Sequence, residues 1–121
     1  MKVILIVDDD APVRRSLRRA LMGAGVEDLL LLEAENGLEG LEMARARNPD
    51  VIVSDWNMPI LDGLELLHAL RREGRTTRFV LVTGFPTDDT RRAAADLGAD
   101  AVLEKPVPVD ELVRAVMGIL G

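Results

Sequence analysis

The sequence predicts an α/β domain: an open, doubly wound parallel sheet of five strands, each followed by a helix. Three observations predict it. Five short apolar runs recur at regular spacing along the 121 residues. A stretch with helical periodicity follows each run, giving a βα unit five times over. The runs are apolar at nearly every position rather than alternating, so both faces of the sheet are covered, as parallel sheets require. Five strands are too few for an eight-stranded barrel, and right-handed crossovers leave few other topologies.

The first run, Val3 to Val7, is aliphatic and rich in β-branched residues, and predicts a buried strand. The helix after it starts near Pro12 with Asp10 placed to cap it. Val13, Leu17, Ala20, Leu21 and Ala24 recur at helical spacing opposite Arg14, Arg15, Arg18 and Arg19, and Gly25 is the expected stop. The second run, Leu29 to Leu32, suits a helix equally well by propensity. Its shortness and its brackets, Gly25 before and Asn36-Gly37 after, decide for a strand. A second helix is expected from Leu38 to Arg47, with Leu38, Leu41 and Ala44 inward, ending before Asn48-Pro49-Asp50. Val51 to Val53 predicts the third strand, and Leu64 to Arg72, after Asp62-Gly63, the third helix. Phe79 to Val82 and Ala101 to Leu103 predict the last two strands. Their helices run from Asp88 to Leu97, closed by Gly98, and from Val109 to Leu120, after Pro106 and Pro108. Connections are short and no repeat exceeds the βα unit, so residues 1–121 are expected to form one domain.

Composition excludes several classes of function. Apolar residues make up 48% of the chain and charged residues 30%, a globular balance, yet no apolar run approaches the roughly 20 residues of a membrane span. No basic region precedes Val3 and no small-residue cleavage site follows its run, so a secretory leader is not expected. The absence of cysteine excludes disulfides, thiolate metal sites and cysteine nucleophiles, and a cytoplasmic setting is expected. A net charge of −6 argues against an electrostatic grip on nucleic acid, which relies on Lys and Arg neutralising phosphates. It favours cations or basic surfaces instead.

In a doubly wound sheet ligands bind beyond the carboxyl ends of the strands, so the chemistry should follow each apolar run. Asp8, Asp9 and Asp10 follow the first run, Asp55 the third, Thr83 the fourth and Lys105 the fifth. If the first and third strands are central neighbours, Asp8, Asp9 and Asp55 meet. Carboxylates at one spot repel each other, and a hard divalent cation or an ammonium relieves them. Mg²⁺ and Lys105 would supply both. A dinucleotide site is disfavoured, because three aspartates stand where that fingerprint needs glycines.

The segments Ile4 to Asp9 (ILIVDD), Glu33 to Gly37 (EAENG), Pro49 to Pro59 (PDVIVSDWNMP), Asp62-Gly63, Val80 to Gly84 (VLVTG), Gly98-Ala99 and Lys105-Pro106 occur in order along the whole chain. Together they resemble the receiver domain of two-component response regulators, and Asp55 to Pro59 is particularly similar to the chemotaxis receiver. The resemblance implies the flavodoxin-like strand order 2-1-3-4-5. It implies that Asp55 is a phosphoacceptor, and that Asp9 and Asp55 ligate Mg²⁺ through carboxylates, Asn57 through its backbone carbonyl and Asp8 through a water. Thr83 and Lys105 would each hold a phosphoryl oxygen, and the Lys105-Pro106 bond would be cis. The implied partners are a sensor histidine kinase or histidine phosphotransfer protein and a downstream protein target, with no nucleic acid and no membrane, the chain being a monomer or weak dimer. Such a domain is not an enzyme in the ordinary sense, catalysing only its own phosphorylation and slow autodephosphorylation.

The chain departs from the resemblance at two places. Receivers commonly carry Tyr or Phe three residues before the lysine, where this chain has Val102, and Phe after Lys-Pro, where it has Val107. A smaller or more local conformational response is expected, since valine offers less area to rebury. Other residues have plainer readings: Asp10 as a cap, His68 as a helix-surface residue without catalytic role, the arginines of the first helix as a solvated or kinase-docking face, and Trp56 as a packing residue near the metal. Two further functions remain open to the sequence. One is a Mg²⁺-dependent phosphohydrolase with an aspartyl nucleophile, which Asp8-x-Asp10 faintly resembles; the other is a phosphorylation-independent adaptor, suggested by Val102.

Overall fold

In the computed structural model, which describes all 121 residues, the apolar runs become five strands and the intervening stretches five helices. The order is β1 (Lys2–Val7), α1 (Ala11–Met22), β2 (Leu29–Ala34), α2 (Gly37–Arg47), β3 (Val51–Asp55), α3 (Gly63–Arg72), β4 (Arg78–Thr83), α4 (Asp88–Asp96), β5 (Ala101–Glu104) and α5 (Val109–Leu120). All pairings are parallel, in the order β2-β1-β3-β4-β5. The doubly wound fold and its strand order therefore stand as the sequence predicted.

Successive residues of each strand serve opposite faces, although the strands read as continuously apolar. Leu5, Val7, Ile52, Phe79 and Leu81 pack on one side with Leu66, Leu67 and Leu70 of α3 and Leu41 and Ala44 of α2. Ile4, Ile6, Val51, Val53 and Val80 pack on the other with Leu21 of α1 and Leu112 and Val116 of α5. Both central layers exclude water completely or nearly so, and this burial is the main term that holds the sheet.

Strands run past their apolar stretches, so that Asp55 and Thr83 are the last residues of β3 and β4. Hydrogen bonds to the neighbouring strand still continue there, which the hydropathy pattern does not register: Trp56 N–H donates to Val82 O (2.9 Å) and Lys105 N–H to Thr83 O (2.8 Å).

Three local expectations are corrected. Asp10 occupies the N-cap position of α1, but its side chain makes no cap bond. Pro12 removes one of the amides such a cap would take, and Asp10 N–H instead donates to Asp8 Oδ1 (2.9 Å). The same helix ends at Met22, with Gly23 as its C-cap, so Ala24 lies outside it; Gly25, in the left-handed region, belongs to the connection beyond. Leu38, expected inward, is exposed, because the buried face of α2 runs through Gly37, Gly40, Leu41 and Ala44. That face is set by close approach. A β-carbon on Gly40 would meet the Val7 side chain at 3.1 Å, and one on Gly37 would collide with Leu61 O at 2.1 Å.

At the carboxyl end of the sheet, α3 starts with a reciprocal capping box: Asp62 Oδ1 accepts from Glu65 N–H (2.8 Å) and Glu65 Oε1 from Asp62 N–H (2.9 Å). At the opposite end, Arg71 ties two connections together, donating to Leu97 O (2.6 Å), Arg75 O (2.9 Å) and Thr77 O (2.8 Å). Burial lowers its pKa, partly offset by the charge of Asp100.

Gly63 joins this frame to the end of β3, and two alanine substitutions separate steric need from glycine entropy. A β-carbon at Gly63 would lie 2.4 Å from Asp55 O, so Gly63→Ala should lose about 2–3 kcal/mol in urea denaturation. Gly118→Ala, inside α5 with nothing within 4 Å, should gain about 0.5–1 kcal/mol in the same titration.

Candidate functional site

Register assembles the site from residues far apart in sequence. Val7 of β1 pairs with Ser54 of β3, so Asp8 emerges beside Asp55. Asp55 pairs with Val82, and Thr83 with Glu104, so Thr83 and Lys105 leave the sheet at the same end. One carboxylate oxygen from each of Asp8, Asp9 and Asp55 lies within 4.8 Å of the others. Lys105 Nζ stands 2.7 Å from Asp55 Oδ1. Its peptide bond to Pro106 is cis, as the resemblance implied.

Two of the three carboxylates are out of water: Asp8 is 5% exposed and Asp55 7%, while Asp9 is open to solvent. Burial raises the Asp8 pKa from 3.8 to about 6; the Asp10 amide opposes the shift, and the charge of Asp55 adds to it. Lys105 moves the other way from a desolvated amine. Burial lowers its pKa, but the hydrogen bond and charge of Asp55, with Asp8 and Asp9 behind, outweigh burial and leave it above the ordinary lysine value. One ammonium thus faces three carboxylates. Their oxygen-only donor set suits a hard divalent cation such as Mg²⁺.

A cleft of about 440 Å³ opens over Asp55 and is lined by Trp56, Asn57, Thr83, Gly84, Phe85 and Lys105. Thr83 is buried, and its Oγ1 accepts from Phe85 N–H (3.2 Å), which leaves the hydroxyl proton free to be donated. Asn57 is exposed and Trp56 half-buried at the rim. The structure therefore brings Asp8, Asp9, Asp55, Asn57, Thr83 and Lys105 to one end of the sheet. His68 lies apart from them, exposed on α3. Val102 is half-buried against the core, and Val107 is half-buried on the opposite side of the sheet.

Two supports escaped the sequence reading. Ser54 Oγ, fully buried, donates to Asp55 O (2.8 Å), and Gly63 N–H donates to Trp56 O (2.8 Å). The polar Ser54 between Val53 and Asp55 was the available signal. The arginines of α1 also differ from a uniformly solvated or docking face. Arg14 donates to Glu33 Oε1 (3.1 Å) and to Asp8 O, and Arg18 to Leu31 O (3.0 Å), leaving Arg15 and Arg19 exposed.

Comparison with known proteins bears on the family and the fold. Residues 4–117 match the family described as the response regulator receiver domain. The chain belongs to that family. Receiver domains are signalling domains of two-component systems rather than ordinary enzymes, which sets aside the phosphohydrolase reading at the level of family. The domain is 41% identical over 117 residues to the response regulator MprA of Mycobacterium ulcerans, covering 97% of this chain and 49% of that protein. It superimposes on the receiver domain of the Francisella response regulator 1452 with a TM-score of 0.90 at 29% identity, covering 98% of this chain and 96% of that one. It likewise superimposes on a DNA-binding response regulator of the LuxR family from Staphylococcus aureus, with a TM-score of 0.89 at 24% identity and full coverage of both chains.

These comparisons correct the expected partners. The receiver spans about half the length of the curated response regulators it matches, and one solved neighbour is described as DNA-binding. A partner set confined to a kinase or phosphotransfer protein and a downstream protein, with nucleic acid excluded, does not stand. The charge argument bears on the 121 residues that carry the charge, not on a regulator of twice that length. No helix is long and apolar enough to cross a membrane.

The raised pKa of Asp8 has a thermodynamic sign. Its folded-state value lies above its unfolded one, so ionised Asp8 disfavours folding above about pH 6, and the penalty fades as pH falls toward 3.8. Without metal, Asp8→Asn should therefore stabilise the domain by about 2–3 kcal/mol at pH 7.5, a gain that shrinks below pH 5. Urea titrations in chelator at both pH values measure it.

Proposed function

We propose that residues 1–121 form one receiver domain that takes a phosphoryl group onto the Asp55 carboxylate and signals by the conformational change that follows. The observation that carries the reading is the convergence of Asp55, Thr83 and Lys105 on one cleft, with the Lys105 ammonium already bonded to Asp55. The donor is a phosphohistidine or a small phosphodonor. An Asp55 oxygen attacks phosphorus, the bond from phosphorus to the leaving atom breaks, and for phosphohistidine its electron pair returns to the imidazole nitrogen, which takes up a proton.

Asp8, Asp9, Asp55 and the Asn57 carbonyl would hold Mg²⁺, which supplies positive charge where one anion must meet another. Lys105 then exchanges part of its contact with Asp55 for a phosphoryl oxygen. The Thr83 hydroxyl donates to a second oxygen, drawing its loop and Phe85 toward the site. Both act on charge that spreads over the equatorial oxygens during transfer.

The output has little apolar area to move. Val102 already packs against the core, so the difference between the two states rests mainly on Thr83, Gly84 and Phe85. A small difference shifts a population weakly. The exposed Phe85 and Asn57 stand at the cleft rim, where a water attacking the acyl phosphate must pass.

Incubation with phosphoramidate and Mg²⁺ should add one phosphoryl group, lost in hydroxylamine and absent in chelator or in Asp55→Asn, as read by intact mass. Lys105→Ala should slow labelling at least tenfold, while Thr83→Ala should label but respond less in conformation; equal effects on every readout would contradict this division.

With beryllium fluoride as mimic, amide shifts should concentrate at Thr83 to Phe85 and fade toward α5. Phe85→Ala and Asn57→Ala should each change the decay rate of the acyl phosphate, measured by mass over time. Shifts running through Val102 into α5 would overturn the local switch.

A further inference from the structure

A second cavity, of about 460 Å³, opens beside the phosphoacceptor cleft on the α1 and α5 side of the sheet. Val13 and Leu17 of α1, Val53 and Val82 of the sheet, Val107, and Leu112 of α5 wall it. Val53 and Leu112 are buried, whereas Val13, Leu17, Val82 and Val107 are half-buried, so the cavity communicates with solvent. Its residue types explain the space. The chain has three aromatic side chains, and none packs on this face: Phe79 and Trp56 belong to the opposite layer and Phe85 is exposed. Val107 stands where receivers commonly carry Phe, and a valine fills less of the space than a ring. A mostly apolar cavity of this size with a few polar groups at one end has the character of a small-molecule site.

The polar end selects the ligand. It is made by Asp8, Asp55 and Lys105, two carboxylates against one ammonium. Lys105 Nζ is already engaged with Asp55 Oδ1 at 2.7 Å, and the Asp8 carboxylate takes one hydrogen bond, from Asp10 N–H. An anionic ligand meets Asp8 and reaches Lys105 only by displacing Asp55. A neutral apolar ligand strips water from Asp8 and gives it no partner. A cationic head avoids both costs.

We propose that this cavity binds a small molecule with a ring-sized apolar body and a primary ammonium head, the body between α1 and α5 and the head beside Asp8. Binding does not require Asp55 to be a phosphoacceptor. Its consequence rests on the metal reading of the site: head and Mg²⁺ compete for the same excess of negative charge, so the occupied domain takes up Mg²⁺ less readily.

The probe is 4-phenylbutylamine, with 4-phenylbutan-1-ol and 4-phenylbutyrate as neutral and anionic counterparts of the same body. Each is titrated calorimetrically into the metal-free domain at pH 7.5. The amine should bind with a Kd of about 0.1–1 mM, the alcohol at least about tenfold more weakly, and the acid not measurably. Intermolecular NOEs from the amine's ring protons should fall on the methyl groups of Val13, Leu17 and Val107. Val107→Phe and Leu17→Phe fill the cavity from two walls; each variant that keeps a cooperative urea transition should bind the amine at least about tenfold more weakly. Saturating Mg²⁺ should raise the amine's Kd at least about fivefold. No binding of the amine, equal affinity for amine and alcohol, tighter binding of the acid, NOEs elsewhere on the domain, or full-strength binding by a folded filled variant overturns the proposal. Mg²⁺ that binds the free domain without weakening the amine overturns the placement of the head, whereas a domain that binds no Mg²⁺ at all removes the metal reading instead.

Discussion

Asp8 and Asp55 are carboxylates taken out of water at the ends of adjacent strands, and the rest of the structure is arranged around holding them there. Burial first, and the nearby charge of Asp55 after it, favour the protonated acid, which pushes the Asp8 pKa up to about 6. Lys105 offsets one charge and leaves an excess. That excess gives the site its chemistry, because a cluster fully neutralised within the protein would have little demand for a cation. The same excess works against the stability of the metal-free domain, so site and fold are coupled through one electrostatic term.

The sheet can hold such a cluster because its interior is rigid. Ile4 to Val7, Val51 to Val53 and Phe79 to Leu81 are almost wholly excluded from solvent, and their side chains interdigitate with helices on both faces. Strand register is fixed on two sides at once, and with it the separation of Asp8, Asp55 and Thr83. Close approaches finish the positioning. Ser54 bonds the Asp55 carbonyl, Gly63 lets the start of α3 lie against it, and Gly37 donates its N–H to the carbonyl of Leu61 with no room for a side chain. The connections that carry Asn57, Ile60 and Phe85 are thus anchored at their ends while their side chains reach solvent.

The two faces of the sheet are dressed differently. On the α1 side, Arg14 and Arg18 are tied to Glu33 and to main-chain carbonyls, including that of Asp8. Charges that look like a free basic surface in the sequence are therefore partly internal braces of the acidic site. On the other face, α4 buries only Thr90 and Ala94 and presents little apolar surface to the core. An element with so small a buried face is held weakly, and it follows directly the connection that bears Thr83 and Phe85.

The alternation of strands and helices, the position of the acidic, hydroxyl and ammonium groups after their strands, and the family were all legible in the order of the residues. These follow from local pattern and ordered motifs: apolar runs ended by Asp8, Asp55, Thr83 and Lys105 need no knowledge of what they touch. Strand ends were less legible, because β3 and β4 continue through Asp55 and Thr83 on backbone hydrogen bonds that hydropathy does not report. The exposure of Leu38, the missing side-chain cap from Asp10 and the bracing of Arg14 and Arg18 were settled only by tertiary structure. Each depends on a neighbour remote in sequence or on the direction in which a backbone turns. The left-handed backbone of Ile60 is the sharpest case: propensity places no isoleucine there, and only the closure of the β3–α3 connection onto α2 and α3 imposes it.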